Sequence, residues 1–123
     1  MKIERFEDID SWKASRELTK AVYKLTSKAS FSKDFGLKDQ IQRASVSIMA
    51  NIVEGFDSQS NKAFINFLNY SFRSASEVQS LLYAALDQEY ITNSEFDSVY
   101  NQCIEIKNLI GGFIRYLNQS NKK

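Results

Sequence analysis

Apolar residues recur every three or four positions through four long stretches of the chain. An α-helix completes a turn in about 3.6 residues, so this spacing places the apolar side chains on one helical face. The pattern predicts helices at about residues 10–28, 35–54, 61–88 and 93–118. Short polar segments separate them, which favours antiparallel neighbours. We therefore expect an all-α fold, an antiparallel up-down-up-down four-helix bundle.

The apolar stripes of the four helices are predicted to form the core. Their members are Leu18, Ala21, Val22, Leu25, Leu37, Ile41, Ala44, Ile48, Ile52, Phe64, Phe67, Leu68, Ser71, Ala75, Val78, Leu82, Ala85, Phe96, Val99, Cys103, Ile106, Ile110, Phe113 and Leu117. Thr92 and Glu95 have the spacing of a capping box at the start of the fourth helix. Gly55 is predicted to end the second helix in a left-handed conformation, which glycine adopts without a steric penalty.

Two helices carry more apolar residues than a single bundle needs, and the excess predicts self-association. The candidate interface residues are Val46, Met49, Val53, Phe56, Tyr100, Ile104, Gly111 and Ile114. Two such stripes on a monomer would exceed the exposed apolar patches that soluble monomers usually carry. Gly111 and Gly112 together destabilise the helix by about 2 kcal/mol relative to alanine. A close approach of another helix would offset this loss.

Composition narrows the range of functions. The chain has 123 residues, which predicts one domain, and no prolines, which favours unbroken helices. It has no histidine, the usual general base and a common metal ligand, which excludes hydrolases and nucleases built on histidine. Cys103 is the only cysteine, and we expect it to be a small core residue. No apolar run is long enough for a membrane span or a signal peptide, so a cytoplasmic location is expected.

A polar seam runs beside the apolar face of the second helix. Its residues are Gln40, Arg43, Ser47, Asn51 and Glu54, and the third helix offers Ser71, Ser74 and Glu77. A structural hydrogen-bond network is the favoured interpretation. An enzyme that uses Glu54 and Glu77 is the alternative, although no nucleophile accompanies them. Metal sites between bundle helices normally include histidine, so neither a metal nor another cofactor is predicted.

The first helix carries a basic stripe formed by Lys13, Arg16, Lys20 and Lys24, which Lys28 continues. Glu17 is the only acidic residue within residues 11–33. A solvated helix face is the simpler interpretation, because the net charge of the whole chain is only +1. Repeated around a ring of subunits, however, the stripe would form a continuous positive surface able to contact phosphates.

Three segments together resemble the bacterial four-helix-bundle family of the 23S rRNA intervening-sequence proteins. They are FEDIDSWKASRELTKAVYKLT, SKDFGLKDQIQRASVSIMANIVEGF and SNKAFINFLNYSFRSASEVQSLLYAALDQEYI. The most specific positions are Trp12, Gln40, Ser47-Ile48, Asn51-Ile52, Glu54-Gly55, Ser74 and Glu77.

The resemblance implies an antiparallel bundle that assembles into a homopentameric ring. Related bundles are accessory proteins of diversity-generating retroelements, in which a basic pentamer engages a reverse transcriptase and nucleic acid. The family has no established catalytic residues, and its name describes a genomic location. We therefore expect a non-enzymatic interaction scaffold for RNA or for an RNA-handling enzyme such as a reverse transcriptase.

Overall fold

The computed structural model describes residues 3–121, and these residues form helices and turns without any strand. Four helices dominate: α1 (Asp10–Thr26), α2 (Phe35–Phe56), α3 (Asn61–Asp87) and α4 (Asn93–Asn121). Short 3-10 turns precede α1 at Phe6–Asp8 and α2 at Phe31–Lys33. The predicted all-α fold is confirmed. None of the described helices is both long enough and apolar enough to cross a membrane.

Each helix packs mainly against two others, in the cyclic order α1, α2, α3, α4. Contacts between α1 and α2 show that these two helices run in opposite directions. Thr26 Oγ1 accepts a hydrogen bond from Gln42 at 3.0 Å, whereas Thr19, two turns earlier in α1, donates to Met49 Sδ at 3.3 Å, two turns later in α2. Because α2 and α4 are not neighbours in the cyclic order, they lie diagonally across the bundle, and their outer surfaces face opposite sides.

The same opposition of direction holds between α3 and α4. The rings of Tyr83 and Tyr100 lie 5.9 Å apart, whereas those of Phe64 and Phe113 lie 5.2 Å apart at the other end of the two helices. The links between helices are short, as the sequence predicts, because antiparallel neighbours place the end of one helix beside the start of the next.

The predicted apolar stripes form the core. Nineteen of the residues predicted for it are buried; the exceptions, which are half-buried, are Ala21, Leu37, Phe64, Phe67 and Phe113. Burial raises the pKa of the Cys103 thiol to about 12, so this cysteine stays protonated and behaves as a small apolar side chain. Ile9, Phe31 and Ile91 are also buried but lie outside the predicted stripes, because they come from the segments next to the helices.

Side chains cap three helix starts, and at the start of α3 Ser60 Oγ accepts from the Ala63 amide at 3.1 Å. Thr92 and Glu95 form the predicted capping box: the Glu95 amide donates to Thr92 Oγ1 at 3.1 Å and the Thr92 amide donates to Glu95 Oε1 at 2.9 Å. At the start of α2, Asp34 Oδ1 accepts from the Leu37 amide at 3.1 Å, and its Oδ2 accepts from the Tyr90 hydroxyl at 2.9 Å. Asp34 thus joins α2 to the link between α3 and α4.

The prediction that Gly55 is a left-handed helix end is wrong. The helix α2 continues to Phe56, and no described glycine has a positive φ. Gly55 is needed for a different reason: a Cβ atom at this position would lie 2.5 Å from Phe64 Cδ1 and 3.1 Å from Phe67 Cβ. A glycine therefore permits the close approach of α3 to the end of α2. The left-handed residue is Glu89, with φ 60°, in the link after α3.

The pair Gly111-Gly112 does not serve a close helix–helix approach within the chain. A Cβ atom at either position would meet only the guanidinium of Arg115, at 3.6 Å and 3.7 Å. Both glycines are half-buried in α4. The packing of the described residues therefore gives no reason for two consecutive glycines inside a long helix.

Candidate functional site

A cluster of three polar side chains lies between α2 and α3, at the centre of the predicted seam. The hydroxyls of Ser47 and Ser74 lie 3.0 Å apart across the two helices. Asn51 Nδ2 donates to Ser47 Oγ at 3.1 Å and to the Ser47 carbonyl at 2.9 Å. All three residues are half-buried. The cluster thus forms the connected network that the structural interpretation predicts for these residues.

A second hydrogen bond joins the same helices deeper in the bundle. The fully buried Ser71 donates from Oγ to the carbonyl of Ile48 at 2.8 Å. Because Ser71 and Ser74 are one turn apart on α3, the two contacts hold the register of α3 against α2. Buried hydroxyls need such partners, since an unpaired one loses its hydration without compensation.

The seam does not bring its carboxylates together. Glu54 and Glu77 are both exposed, and so is Gln40. The helices α2 and α3 run in opposite directions, because Ser47 faces Ser74 whereas the next residue, Ile48, contacts the earlier Ser71. Glu54 therefore lies seven residues from the level of Ser47 and Ser74 in one direction, and Glu77 three residues from it in the other. At 1.5 Å per residue, the two positions are about 15 Å apart along the bundle. This separation places the two carboxylates at different levels of the bundle, so they do not form a pair at one site.

The described residues contain no group of three or more His, Cys, Asp or Glu side chains that could hold a metal ion. Of the seam residues, Ser47, Asn51 and Ser74 meet in one network. Ser71 is buried against the Ile48 carbonyl and Gly55 permits the contact with α3. The remaining members lie on the outer surface: Gln40, Arg43, Glu54 and Glu77. The seam as observed has the chemistry of a packing contact: hydroxyls and an amide, paired with each other and with backbone.

The basic stripe lies on the outer surface of α1, and all four of its residues are exposed. Lys20 Nζ lies 3.5 Å from Glu17, and Lys13 Nζ lies 4.0 Å from Asp10. Asp10, which lies just before residues 11–33, therefore offsets the charge of the stripe as Glu17 does. Arg16 lies 6.0 Å from the ring centroid of Trp12, in a cation–π geometry.

Lys28 is not a free continuation of the stripe. Its ammonium forms an ion pair with Glu95 at the start of α4, and the two side chains are each 36% exposed. The hydrogen bond from Lys28 is the largest of the effects that lower the pKa of Glu95. This ion pair closes the junction between α1 and α4.

Eight large apolar side chains are exposed among the described residues; two of them are Tyr70 and Tyr116, and the other six lie on two surfaces of the bundle. We call the first the α1–α2 face, and it contains Tyr23, Phe35 and Val46, which are 47%, 73% and 42% exposed. Phe35 and Val46 are eleven residues apart on α2, close to three full turns, so they lie on the same side of the helix. Contacts of α1 with Gln42 and Met49 place Tyr23 at the level of Val46.

The second surface, the α3–α4 face, contains Phe72, Tyr83 and Ile104, which are 37%, 51% and 42% exposed. The Lys107 ammonium lies 4.8 Å from the ring centroid of Phe72, and Tyr83 packs on Tyr100, one turn before Ile104. In the cyclic order of the helices, the α3–α4 face lies opposite the α1–α2 face.

The candidate interface residues divide between these faces and the interior. Val46 and Ile104 are exposed, whereas the other six are half-buried. Among those six, Met49 contacts Thr19, and Phe56, Tyr100 and Ile114 pack against the core. Sequence reasoning missed Phe35, Tyr23, Phe72 and Tyr83. The exposed Phe35 precedes Val46 by eleven residues, close to three helical turns. This spacing places both on the outer side of α2 and is the sequence signal that would have identified Phe35.

Residues 7–112 match the model of the family described as 23S rRNA-intervening sequence protein. The chain belongs to this family. The structure is similar to a solved structure from Bacteroides thetaiotaomicron VPI-5482, a protein with unknown function from the S23 ribosomal protein family. The two share 33% identity with a TM-score of 0.77, over 85% of this chain and 97% of the other. A search of the curated proteins finds no match. The four-helix bundle thus agrees with membership in the intervening-sequence protein family. The similar solved structure is described as a protein with unknown function, so we infer a function for this protein from its exposed surface.

Proposed function

We propose that this protein is a non-enzymatic scaffold that assembles into a homopentameric ring and binds RNA through the basic stripes of α1. The observation that carries the proposal is the pair of exposed apolar faces on opposite sides of one bundle. Each face exposes three large apolar side chains, including an aromatic ring exposed by about half or more. Removing such side chains from water stabilises a contact by about 25 cal/mol for each Å² buried.

The placement of the faces favours a ring. A twofold dimer uses the same surface patch on both subunits, so it would cover one face and leave the other exposed. A head-to-tail contact joins the α1–α2 face of one subunit to the α3–α4 face of the next, and covers both. Such a contact closes into a ring when the rotation between subunits permits it. The number five comes from the family resemblance, and the faces account for how five copies would join.

The basic stripe supports the RNA part of the proposal. Its four side chains are exposed on the outside of α1, and the ring would repeat them in every subunit. Asp10 and Glu17 offset part of the charge, so each stripe alone is a weak site. Several weak sites on one particle bind a long polyanion with an avidity that exceeds each of them by a factor of about 100 or more. RNA is the polyanion proposed, because the family resemblance links related bundles to a reverse transcriptase and nucleic acid.

A filter-binding titration with single-stranded RNA at two salt concentrations tests this function. The test variant changes Lys13, Arg16, Lys20 and Lys24 to Gln. The matched control changes Lys33, Lys38, Arg43 and Lys62 to Gln, so that the net charge of both variants is the same. We expect the test variant to bind at least tenfold more weakly than the control, and the parent to lose affinity as salt rises, with a logarithmic slope of about −0.7 per neutralised phosphate. Equal affinities of the two variants would contradict an RNA site on α1.

A further inference from the structure

A cavity of about 290 Å³ lies where the start of α1 meets the second half of α4. Its walls are mainly apolar: Ile9 on one side, and Leu109 and Phe113 on the other. Asp10 and Asn108 stand beside it, and both are exposed. Neither the seam between α2 and α3 nor the exposed apolar residues of the two faces contribute to it. The cavity is therefore a separate feature of the bundle.

Gly112 forms part of the cavity wall. Glycine inside a helix lowers stability by about 1 kcal/mol relative to alanine, and nothing in the bundle requires it at this position. A Cβ atom on Gly112 would have only the Arg115 guanidinium nearby, at 3.7 Å. A larger side chain would instead extend into the cavity. The glycine thus keeps open a space that the packing of the chain does not use.

Ser11 lies on the opposite wall, and its hydroxyl is the one buried side-chain N or O atom among the described residues without a hydrogen-bond partner. The residue is 2% exposed. An unpaired buried hydroxyl is unfavourable by about 1–3 kcal/mol. Because the hydroxyl has no partner to lose, a rotation about χ1 that turns it towards the cavity breaks no hydrogen bond. A ligand oxygen in the cavity would supply the missing partner.

The charges around the cavity select the ligand class. Asp10 carries a negative charge beside it, which disfavours anions, and the Arg115 guanidinium near Gly112 carries a positive charge, which disfavours cations. The start of α1 has no side-chain cap, so its first N–H groups present donors and a partial positive charge, which also disfavours cations. What remains favourable is a neutral molecule with an apolar body and an oxygen that accepts hydrogen bonds.

We propose that this cavity binds a small neutral carbonyl compound, with its aliphatic or aromatic body against Leu109, Gly112 and Phe113 and its carbonyl oxygen accepting from Ser11. The volume agrees with this class. A cavity of about 150 Å³ in another protein holds benzene, so 290 Å³ accommodates a two-ring aromatic molecule.

The neutral aryl ketone prodan is a suitable probe, because it has two fused rings and a carbonyl, and its emission shifts to shorter wavelength in apolar surroundings. Prodan is titrated into the full chain and into a graded series, Gly112→Ala and Gly112→Leu. The matched controls are Gly36→Ala and Gly36→Leu, since Gly36 is also helical but exposed and far from the cavity. Circular dichroism melting confirms that every variant is folded.

We expect saturable binding to the parent and to both Gly36 variants, about threefold weaker binding to Gly112→Ala, and binding at least tenfold weaker to Gly112→Leu. Ser11→Ala keeps the cavity but removes the donor, so it should weaken binding about fivefold, the equivalent of one hydrogen bond. The proposal is overturned if the parent does not saturate, or if the Gly112 and Gly36 series bind alike. It is also overturned if Gly112→Leu leaves prodan binding unchanged but alters the mass of the particle in light scattering, because the cavity would then be a contact between copies.

Discussion

Gly55 and Phe64 are in contact at the junction of α2 and α3, where the missing Cβ of the glycine would lie 2.5 Å from the phenylalanine ring. The ring has little freedom to move away, because it packs edge-on against Phe56 at 6.5 Å and Phe113 at 5.2 Å. The absence of one side chain therefore determines how closely the two helices approach. This contact also gives a physical reason for a glycine at a position that carries the family resemblance.

The first prediction concerns this contact. Gly55→Ala should lower the free energy of unfolding by about 1–2 kcal/mol, because overpacking, at about 1–3 kcal/mol, outweighs the better helix propensity of alanine, which is worth about 1 kcal/mol. Gly36→Ala is the matched control and should stabilise the protein, since a Cβ atom there would make only an ordinary contact with Asp34 Oδ1 at 3.9 Å. Urea unfolding followed by circular dichroism measures both. A Gly55→Ala midpoint at or above that of the parent would show that Phe64 yields without loss.

The second prediction concerns the seam between Ser47 and Ser74. Either Ser→Ala change should lower stability by about 1 kcal/mol, because it leaves the partner hydroxyl half-buried with one bond fewer. The double variant should lose less than the sum of the two, with a coupling of about 0.5–1 kcal/mol. A double-mutant cycle in urea measures this coupling. Strict additivity would mean that the seam hydroxyls do not stabilise each other.

The third prediction is a pH dependence that arises from Lys28 and Glu95. The pKa of Glu95 is lower in the folded chain than in the unfolded chain, where it is near 4.5. The ionised carboxylate therefore stabilises the fold at pH values above 4.5, and this stabilisation is lost as the pH falls through the folded pKa. The pair is partly exposed, so we expect Glu95→Gln to lower stability by only about 0.5–1 kcal/mol at neutral pH. Glutamine can still cap the Thr92 amide, which isolates the charge. The difference between parent and variant should shrink as the pH falls through the folded pKa of Glu95; a difference that does not change with pH would point to a cause other than charge.

The fourth prediction concerns Cys103. Its pKa of about 12 and its complete burial leave about one thiolate in ten thousand molecules at pH 8. A disulfide reagent should therefore modify the folded protein at least a thousandfold more slowly than the unfolded chain in urea. Comparable rates in the two states would place Cys103 at an accessible position and contradict the assignment of this stripe to the core.

Hydrophobic spacing was sufficient to predict the four helices and their inward faces, because periodicity depends on local geometry alone. It could not identify Phe31 as a core residue, since this side chain is buried by Tyr90, which stacks on it at 5.2 Å from a link distant in sequence. The role of Gly55 was also hidden: turn chemistry explains a glycine near a helix end equally well, and only the position of Phe64 decides between the two explanations.

Part of the candidate site could be predicted from the sequence, and part of it could not. Asn51, Ser47 and Ser74 could be grouped from their spacing on two helices, and they do meet. The separation of Glu54 from Glu77 could not be obtained in this way, because it depends on the register between α2 and α3. The cavity near Ser11 depends on a contact between the two ends of the chain, which no local pattern encodes.

The central claim is that the α1–α2 face of one copy binds the α3–α4 face of the next, and native mass spectrometry of two mixed variants tests it most directly. Val46→Glu and Ile104→Glu each place a charge on one face and leave the other intact, and Ser98→Glu, on the α1 side of α4, is the control. The parent and the control should have a mass of about 70 kDa, five copies of the 14.1 kDa chain, as expected for a closed ring. Each face variant alone should be monomeric, and an equimolar mixture of the two should form a dimer containing one copy of each, because only one intact junction remains possible. A parent that stays monomeric, or a mixture that remains two separate monomers, would contradict the head-to-tail ring.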